Sequence, residues 1–214
     1  VHLIPANMIA GQIRSFLGDV GADCIKIGML YSKNIIRLVA GILDEYSSIP
    51  VVVDPVMVTS SGDKLLEEDA VQAYKDYLFP RTSILTPNKK EAEWLCGKEL
   101  NEGNIEECLK DLSRWGNSVI IKSVENRDFF IDYYYNPVEK VMKVYKKEGI
   151  RTRNVNGTGD SFASAIATFL SKGYGIEFAV AEAERFIQQS IELGARFKFG
   201  KGFGPVYPYY EVQE

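Results

Sequence analysis

The segment IPVVVDPVM (residues 49–57) is the stretch of sequence that says most about the fold. Three β-branched valines follow Pro50, and such a run is typical of a central strand of a parallel sheet, buried on both faces. Asp54 follows the third valine directly. In open α/β sheets, ligands bind beyond the carboxyl ends of the strands. We therefore expect a central strand here, with a carboxylate at the edge where a ligand would lie.

Strand and helix patterns alternate on both sides of this segment. Short apolar runs predict strands, and apolar residues at helical spacing predict helices between them. The predicted strands are 24–30, 51–54, 83–85 and 118–122, with a hairpin of 128–135 and 138–145 that turns at Asn136 and Pro137. The predicted helices are 7–18, one capped by Ser32, one near 67–78, 89–96 ending at Gly97, 105–115 capped by Asn104, one within 154–173, and roughly 176–193 ending at Gly194. This alternation predicts right-handed βαβ units in a mostly parallel sheet.

Composition indicates one soluble globular domain. The chain has 214 residues, enough for one well-buried core but few for two full domains. Its net charge of −4 argues against binding nucleic acid through bulk charge, and no apolar run is long enough to span a membrane. The three cysteines, Cys24, Cys96 and Cys108, are scattered and form no CxxC motif. This pattern predicts buried thiols in a reducing cytoplasm.

The single histidine limits the chemistry that the chain can perform. His2 lies near the start of the chain, so a Ser-His-Asp or Cys-His nucleophile system and a histidine-based metal site are both disfavoured. Catalysis would then depend on carboxylates, lysines, backbone amides or a metal ion bound by oxygen.

The strongest motif is NVNGTGDSFASAIATFLSKG (154–173), in which Gly157, Thr158, Gly159 and Asp160 precede an apolar helical run. Free N–H groups at a helix N-terminus attract anions, and glycine lets phosphate oxygens approach the backbone. Asp160 would lie in the first turn, where the helix dipole favours its charge. The same string is equally compatible with an ordinary helix start. Its spacing fits neither a Rossmann fingerprint nor a Walker A loop.

Two further elements carry polar residues at strand ends. Asn88 and Glu91, at i and i+3 of a predicted helix start, could hold hydrated Mg²⁺ or could be an ordinary capping pair. Asp54 and Lys122 end predicted strands. Asp54 could serve metal or phosphate chemistry or could receive turn hydrogen bonds, and Lys122 could contact phosphate or face solvent. The apolar residues Met29 and Val56 also follow strands and could form the wall of a substrate pocket, although core packing would explain them as well.

Together, the segments KIGML, DPVMVTSSGDKLL, TPNKKEAE, NGTGDSFASAIA and GKGFGPV resemble, in their order and context, the hydroxymethylpyrimidine/phosphomethylpyrimidine kinases of the thiamine pathway. These are vitamin kinases of the ribokinase-like superfamily, and the similarity covers nearly the whole chain. The resemblance implies an open α/β sheet flanked by helices on both faces, with ATP and Mg²⁺ at its carboxyl edge. A cytoplasmic homodimer would be usual for such a family.

The resemblance also assigns roles to residues. It implies an anion hole formed by Gly157, Thr158 and Gly159, with Asp160 as the catalytic base. The other implied positions are Asn88 and Lys122 for ATP and its phosphates, Glu91 and Asp54 for magnesium, and Met29 and Val56 for the pyrimidine.

The sequence departs from the family pattern at three positions within these motifs. Asp160 replaces a cysteine that many of these enzymes have, and Phe203 stands where histidine is common. The segment KSVEN (122–126) replaces a KGG-type segment.

We also expect one ribokinase-like domain over 1–214 that lacks an N-terminal strand and a glycine-rich substrate segment, with about 40–60 further residues before Val1. Three functions follow as hypotheses. The first is ATP-dependent phosphorylation of the pyrimidine alcohol and then of its monophosphate. The second is pyridoxal kinase activity, and the third is a binding module that keeps the fold without turnover. A nicotinamide oxidoreductase is disfavoured because no strand is followed by GxGxxG.

Overall fold

A computed structural model describes residues 2–57, 66, 69–126 and 129–209. Its main sheet has six strands in chain order. These are β1 (Ile25–Ile27), β2 (Val51–Val53), β3 (Ile84–Leu85), β4 (Ser118–Asn126), β5 (Phe129–Asn136) and β6 (Val141–Glu148). The first four are mutually parallel, and β4, β5 and β6 pair antiparallel. The predicted mostly parallel sheet and its hairpin are therefore confirmed.

Helices cover both faces of this sheet, as the family resemblance implied. Their bounds are α1 (Ala6–Asp19), α2 (Lys33–Glu45), α3 (Ala70–Ala73), α4 (Lys89–Cys96), α5 (Ile105–Leu112), α6 (Thr158–Ser171) and α7 (Ile176–Gly194). The side chains of β2 alternate between the helix layers on the two faces of the sheet. Val51 and Val53 pack into the core with α2 to α5, whereas Val52 packs with α6 and α7 on the opposite face. All three valines are fully buried, as expected for a central strand.

Local sequence signals explain several element boundaries. Ser32 caps α2 by accepting a hydrogen bond from the backbone N–H of Ile35. Asn88 and Glu91 form a capping box at the start of α4, and Gly97 ends that helix in the left-handed region at φ 68°. The predicted bounds of α4 are confirmed on both sides.

The segment after β2 differs from the expected single helix near 67–78. Of that range, residues 67–68 lie outside the described residues, as do residues 58–65 before it. The helix α3 is one turn long and continues as a π-helix over Tyr74–Leu78 and a 3₁₀ turn over Phe79–Arg81. The side chains of Tyr74 and Phe79 in this segment are wholly buried in the core, where their ring centroids lie 6.2 Å apart.

The interpretation of all three cysteines as buried thiols is wrong for two of them. Cys96 and Cys108 form a disulfide between the end of α4 and the middle of α5, with Cα atoms 6.0 Å apart. The packing of α4 against α5 brings these positions together, and no local motif signals it. Cys24 is the free cysteine, and its partial burial raises the pKa of its thiol to about 11.

The glycine turn of the candidate site follows the hairpin along the chain. Strand β7 (Asn154–Asn156) runs directly into α6 and pairs in parallel with β8 (Gly204–Pro205) to form a separate two-stranded sheet. Within the described residues, no helix is both long and apolar enough to cross a membrane.

Candidate active site

A cleft of about 680 Å³ opens at the carboxyl edge of the parallel strands. It is lined by the end of β2, the middle of β4, the start of α4, and the turn between β7 and α6. The lining residues that the sequence analysis predicted for the site are Asp54, Val56, Asn88, Glu91, Lys122, Gly157, Thr158, Gly159 and Asp160. The fold thus gathers nine of the ten predicted positions around one cavity.

Met29 is the predicted position that does not line the cleft. Met29 follows β1 and is 40% exposed, and it is not among the residues that line the cavity. Val56, its predicted partner in an apolar wall, does reach the cleft. A role for Met29 in contacting the pyrimidine stays a prediction.

The turn that opens α6 is shaped by its two glycines. Gly157 is the N-cap of α6 at φ 82°, a conformation that glycine adopts without steric cost. Gly159 lies against charged side chains: a Cβ atom there would stand 3.4 Å from Lys122 Nζ and 3.6 Å from Asp54 Oδ2. Thr158 fixes the turn by donating from Oγ1 to the carbonyl of Val155 at 2.6 Å. The start of this helix is therefore held next to a buried lysine and a buried aspartate.

Asp160 lies in the first turn of α6 and faces solvent. Its side chain is 70% exposed, and Oδ1 accepts a hydrogen bond from Lys26 Nζ at 2.9 Å. An exposed carboxylate beside the free N–H groups of a helix start can meet an incoming hydroxyl group and accept its proton.

Lys26 is a residue of this site that the sequence analysis missed. It is the middle residue of β1, and its side chain is 22% exposed. A signal was present, because a lysine between isoleucines in a short buried strand needs a polar partner. The partner itself lies 134 positions away, and no sequence spacing indicates such a pairing.

On the other side of the glycine turn, Asp54 and Lys122 form a buried ion pair. Lys122 Nζ donates to Asp54 Oδ1 at 2.8 Å, and Thr86 Oγ1 donates to the same oxygen at 3.0 Å. Burial by itself lowers the pKa of Lys122, but the charges of Asp54 and Glu91 outweigh it and raise that pKa above its usual value. Lys122 is therefore a fixed positive charge on the floor of the cleft.

Glu91 occupies the wall between these groups and the start of α4. One carboxylate oxygen accepts from the backbone N–H of Asn88 at 2.8 Å, and the other from that of Met57 at 3.4 Å. Burial raises the pKa of Glu91 to about 7, against the opposing effect of Lys122. The capping interpretation of Asn88 and Glu91 is thus confirmed, and it leaves room for a second role because both residues line the cleft.

Magnesium was the predicted metal, so the carboxylates can be tested against its usual coordination. The described residues contain no group of three or more histidine, cysteine, aspartate or glutamate side chains placed to hold a metal ion. Mg²⁺ typically keeps several waters and is bound through one or two carboxylates together with substrate phosphates. Asp54 and Glu91 fit that second pattern, with Asp54 Oδ2 facing the glycine turn where phosphates would lie.

A mostly parallel sheet covered by helices, with a glycine turn, an exposed aspartate and a buried lysine at one edge, defines the class of ribokinase-like α/β proteins. The family model described as phosphomethylpyrimidine kinase matches residues 1–207. The chain belongs to this family.

Curated relatives agree with this assignment. The chain is 35% identical over 213 residues to the thiamine biosynthesis bifunctional protein ThiED of Geobacter sulfurreducens, with 96% of this chain and 42% of that protein covered. It is 31% identical over 217 residues to the hydroxymethylpyrimidine/phosphomethylpyrimidine kinase of Mycobacterium bovis, with 99% and 78% covered. The chain thus spans less than half of the bifunctional relative and about three quarters of the single kinase.

Solved structures of two kinds of vitamin kinase share the fold. Bacillus subtilis pyridoxal kinase in complex with ADP superposes with a TM-score of 0.85 at 29% identity, covering 96% of this chain and 77% of that one. The phosphomethylpyrimidine kinase of Clostridium difficile gives a TM-score of 0.75 at 30% identity, covering 88% and 77%. Staphylococcus aureus pyridoxal kinase in complex with AMP-PCP and pyridoxal gives 0.85 at 27% identity, covering 98% and 76%.

Proposed function

We propose that the chain transfers the γ-phosphoryl group of ATP to the hydroxymethyl group of 4-amino-5-hydroxymethyl-2-methylpyrimidine, and then to the monophosphate so formed, in thiamine biosynthesis. The family and the names of the relatives support the substrate class. The observation that carries the chemistry is the exposed Asp160 carboxylate at the N-terminus of α6, beside the glycine turn.

In this reaction Asp160 acts as the general base. It accepts the hydroxyl proton as the hydroxyl oxygen attacks the γ-phosphorus, and the bond from that phosphorus to the bridging oxygen of ADP breaks. The backbone N–H groups of Gly157, Thr158 and Gly159 stabilise the negative charge on the transferred group. The remaining acceleration comes from positioning, which is the main contribution in phosphoryl transfer.

The floor and wall of the cleft bind the triphosphate. Lys122 supplies a fixed positive charge for the phosphate oxygens, and Asn88 lines the same cavity at the start of α4. ADP and AMP-PCP in the structures of similar kinases support ATP as the phosphoryl donor. Asp54 and Glu91 would hold Mg²⁺ through its waters, and a bound Mg²⁺ would neutralise charge on the phosphates.

A pyridoxal or pyridoxine kinase is the second candidate function. It is favoured by the structural similarity to pyridoxal kinases, whose TM-scores reach 0.85. Both reactions phosphorylate a hydroxymethyl group on a nitrogen-containing aromatic ring, so the base and the anion hole serve either one. The two functions differ in the wall that contacts the ring, for which Val56 and Met29 are our candidates.

Steady-state kinetics with each alcohol and ATP separate the candidates. We expect a higher kcat/KM for the pyrimidine alcohol than for pyridoxal, and formation of a diphosphate when the pyrimidine monophosphate is supplied. A preference for pyridoxal would overturn the proposed substrate. Tight ATP binding without transfer to either alcohol would favour a binding module. A cytoplasmic homodimer that does not bind nucleic acid stays a prediction, for sedimentation and fractionation to test.

A further inference from the structure

The segment KSVEN (122–126), where the chain departs from its family's pattern, contains a β-bulge. In the β4–β5 ladder, Ile121 pairs with Tyr133 and Val124 pairs with Ile131. Lys122 and Ser123 therefore stand opposite one residue, Asp132. Such a bulge changes the direction of side chains and is common next to active sites. Here the bulge includes Lys122, the residue of β4 that lines the floor of the cleft.

Ser123 is strained at this bulge. Its φ is 58°, in the left-handed region that residues with a Cβ atom rarely adopt. A residue in such a conformation persists only where its surroundings hold it there. The same residue lines the candidate active site.

A buried charge cluster outside the cleft holds the bulge. Asp132 Oδ1 accepts a hydrogen bond from the backbone N–H of Ser123 at 2.7 Å. Asp132 Oδ2 accepts from Lys147 Nζ on β6 at 2.7 Å, and Lys147 also donates to Glu184 Oε2 on α7 at 2.7 Å. Asp132 and Glu184 are both buried. The cluster therefore connects three elements behind the site to one backbone amide at its edge.

The charges in this cluster balance when Glu184 is protonated. Burial and the neighbouring Asp132 raise the pKa of Glu184 to about 8, while Lys147 opposes the shift. Glu184 Oε1 is buried and has no hydrogen-bond partner among the described residues. Tyr145 also faces Glu184, and burial raises the pKa of its hydroxyl to about 12, so it stays neutral. Protonation of Glu184 would therefore remove one of the negative charges that face Lys147.

We propose that Asp132 is a positioning residue for Lys122: it holds the Ser123 amide, and through the bulge it fixes the lysine that pairs with Asp54 in the active site. Lys147 and Glu184 hold the Asp132 carboxylate in turn. The backbone N–H of Lys122 donates to the carbonyl of Pro87 at 2.9 Å, so movement of the bulge would also disturb the start of α4. The effect on turnover rests on the proposed function, whereas the effect on the position of Lys122 does not.

The test compares two variants of Asp132 by a measurement that needs no turnover. In the full chain, the reactivity of Lys122 toward a water-soluble acylating reagent is followed by peptide mass spectrometry. Asp132→Leu removes the acceptor for the Ser123 amide, and we expect Lys122 to be acylated faster. Asp132→Asn can keep an oxygen toward that amide, so the rate of Lys122 acylation should stay closer to that of the original protein. In the same proteins, kcat/KM for ATP should fall by roughly 10²-fold for Asp132→Leu, the scale expected for a displacement of about 1 Å.

A matched control breaks a different ion pair between the same two elements. Lys143 on β6 pairs with Glu177 on α7 at the protein surface. Glu177→Gln should leave both Lys122 acylation and kcat/KM unchanged. If Glu177→Gln has the same effect as Asp132→Leu, the cluster only joins β6 to α7 and the proposal is wrong.

Two further outcomes would overturn the proposal. The first is a folded Asp132→Leu variant in which Lys122 is as protected as before. The second is a fall in kcat/KM that persists undiminished when Lys122→Met is already present. If Asp132→Leu does not fold, the same measurement is made on Asp132→Ala, which also removes the acceptor for the Ser123 amide. Protection of Lys122 in that folded variant would contradict the proposal equally.

Discussion

Two lysine–aspartate pairs flank the glycine turn of α6, and they differ mainly in burial. In the Asp54–Lys122 pair the atoms are 2.8 Å apart and the side chains are 4% and 10% exposed. In the Lys26–Asp160 pair they are 2.9 Å apart, but the lysine is 22% and the aspartate 70% exposed. Nearly equal distances therefore accompany very different degrees of solvent exposure.

This difference in burial indicates separate roles for the two ion pairs. Breaking a buried ion pair leaves an uncompensated charge in the protein interior, so such a pair fixes geometry strongly. An exposed pair contributes little to stability, and its carboxylate is free to meet a substrate. The buried pair should therefore hold the floor of the cleft, and the exposed aspartate should perform the proton transfer.

The largest expected effect is on turnover. Asp160→Asn removes the base but nearly keeps the volume of the side chain, so turnover should fall by roughly 10²–10⁴-fold. Its stability should change by no more than about 1 kcal/mol, because the pair with Lys26 is exposed. Steady-state kinetics and urea unfolding of the same preparation check both values. Near-normal turnover would show that Asp160 only starts the helix.

The second prediction concerns the buried Asp54–Lys122 pair, where we expect a large effect on stability. Lys122→Met leaves Asp54 buried without its cation, and the free energy of unfolding should fall by roughly 3–5 kcal/mol. Urea denaturation measures the loss. Asp54→Asn in the same protein removes the unpaired charge and should restore part of the stability. A loss below about 1 kcal/mol would make the two pairs equivalent and would break the comparison.

The third prediction concerns pH and the buried carboxyl of Glu184. Its pKa is raised to about 8 in the folded protein, so folding binds a proton that the unfolded chain releases above about 4.5. This contribution to stability is complete at low pH and is lost as pH rises toward 8, by roughly 1 kcal/mol per pH unit between pH 6 and 8. Glu184→Gln should remove that slope, so the variant gains stability over the original protein in alkaline buffer. Parallel stability curves for the two proteins would contradict the assignment.

The fourth prediction separates capping from metal binding at Glu91. Glu91→Gln keeps one acceptor for the backbone but loses the charge, so stability should fall by about 1 kcal/mol. The Mg²⁺ concentration needed for half-maximal activity should rise. An unchanged Mg²⁺ dependence would leave Glu91 as a capping residue alone. The exposed Glu99, which also lines the cleft, changed to Gln, serves as the control for general effects of charge at the cleft.

The smallest expected effect is on stability at the exposed pair. Lys26→Met should change the free energy of unfolding by less than about 1 kcal/mol, because an exposed ion pair gains little over its hydrated charges. Chemical denaturation measures it beside Lys122→Met under identical conditions. Comparable losses for the two lysines would show that burial does not distinguish the pairs.

Much of the fold could be predicted because its signals are local. The β-branched run of β2 and the capping box of α4 each depend on a few consecutive residues, and the structure places them as expected. The hairpin strands are displaced by a few residues, and β4 continues through the bulge at Lys122 and Ser123 instead of ending there. The serine at positive φ gave no sequence signal, since its backbone contact is with Asp132 on the neighbouring strand.

The site was predictable in its parts but not in its pairings. The strand ends and the glycine turn indicated which residues would meet at one edge of the sheet. The sequence could not show that Lys122 pairs with Asp54, or that Lys26 pairs with Asp160, because these contacts join residues 68 and 134 positions apart. The disulfide between Cys96 and Cys108 was missed for a similar reason, since it depends on how two helices pack.

The most direct test of the central claim is observation of the transferred phosphoryl group. The chain is incubated with ATP, Mg²⁺ and 4-amino-5-hydroxymethyl-2-methylpyrimidine, and ³¹P NMR follows the products. We predict a phosphoester resonance coupled to the methylene protons of the pyrimidine, with one ADP formed for each phosphoryl group transferred, and neither product on the same timescale with Asp160→Asn. ADP accompanied only by inorganic phosphate, or ester formation undiminished in Asp160→Asn, would contradict the account.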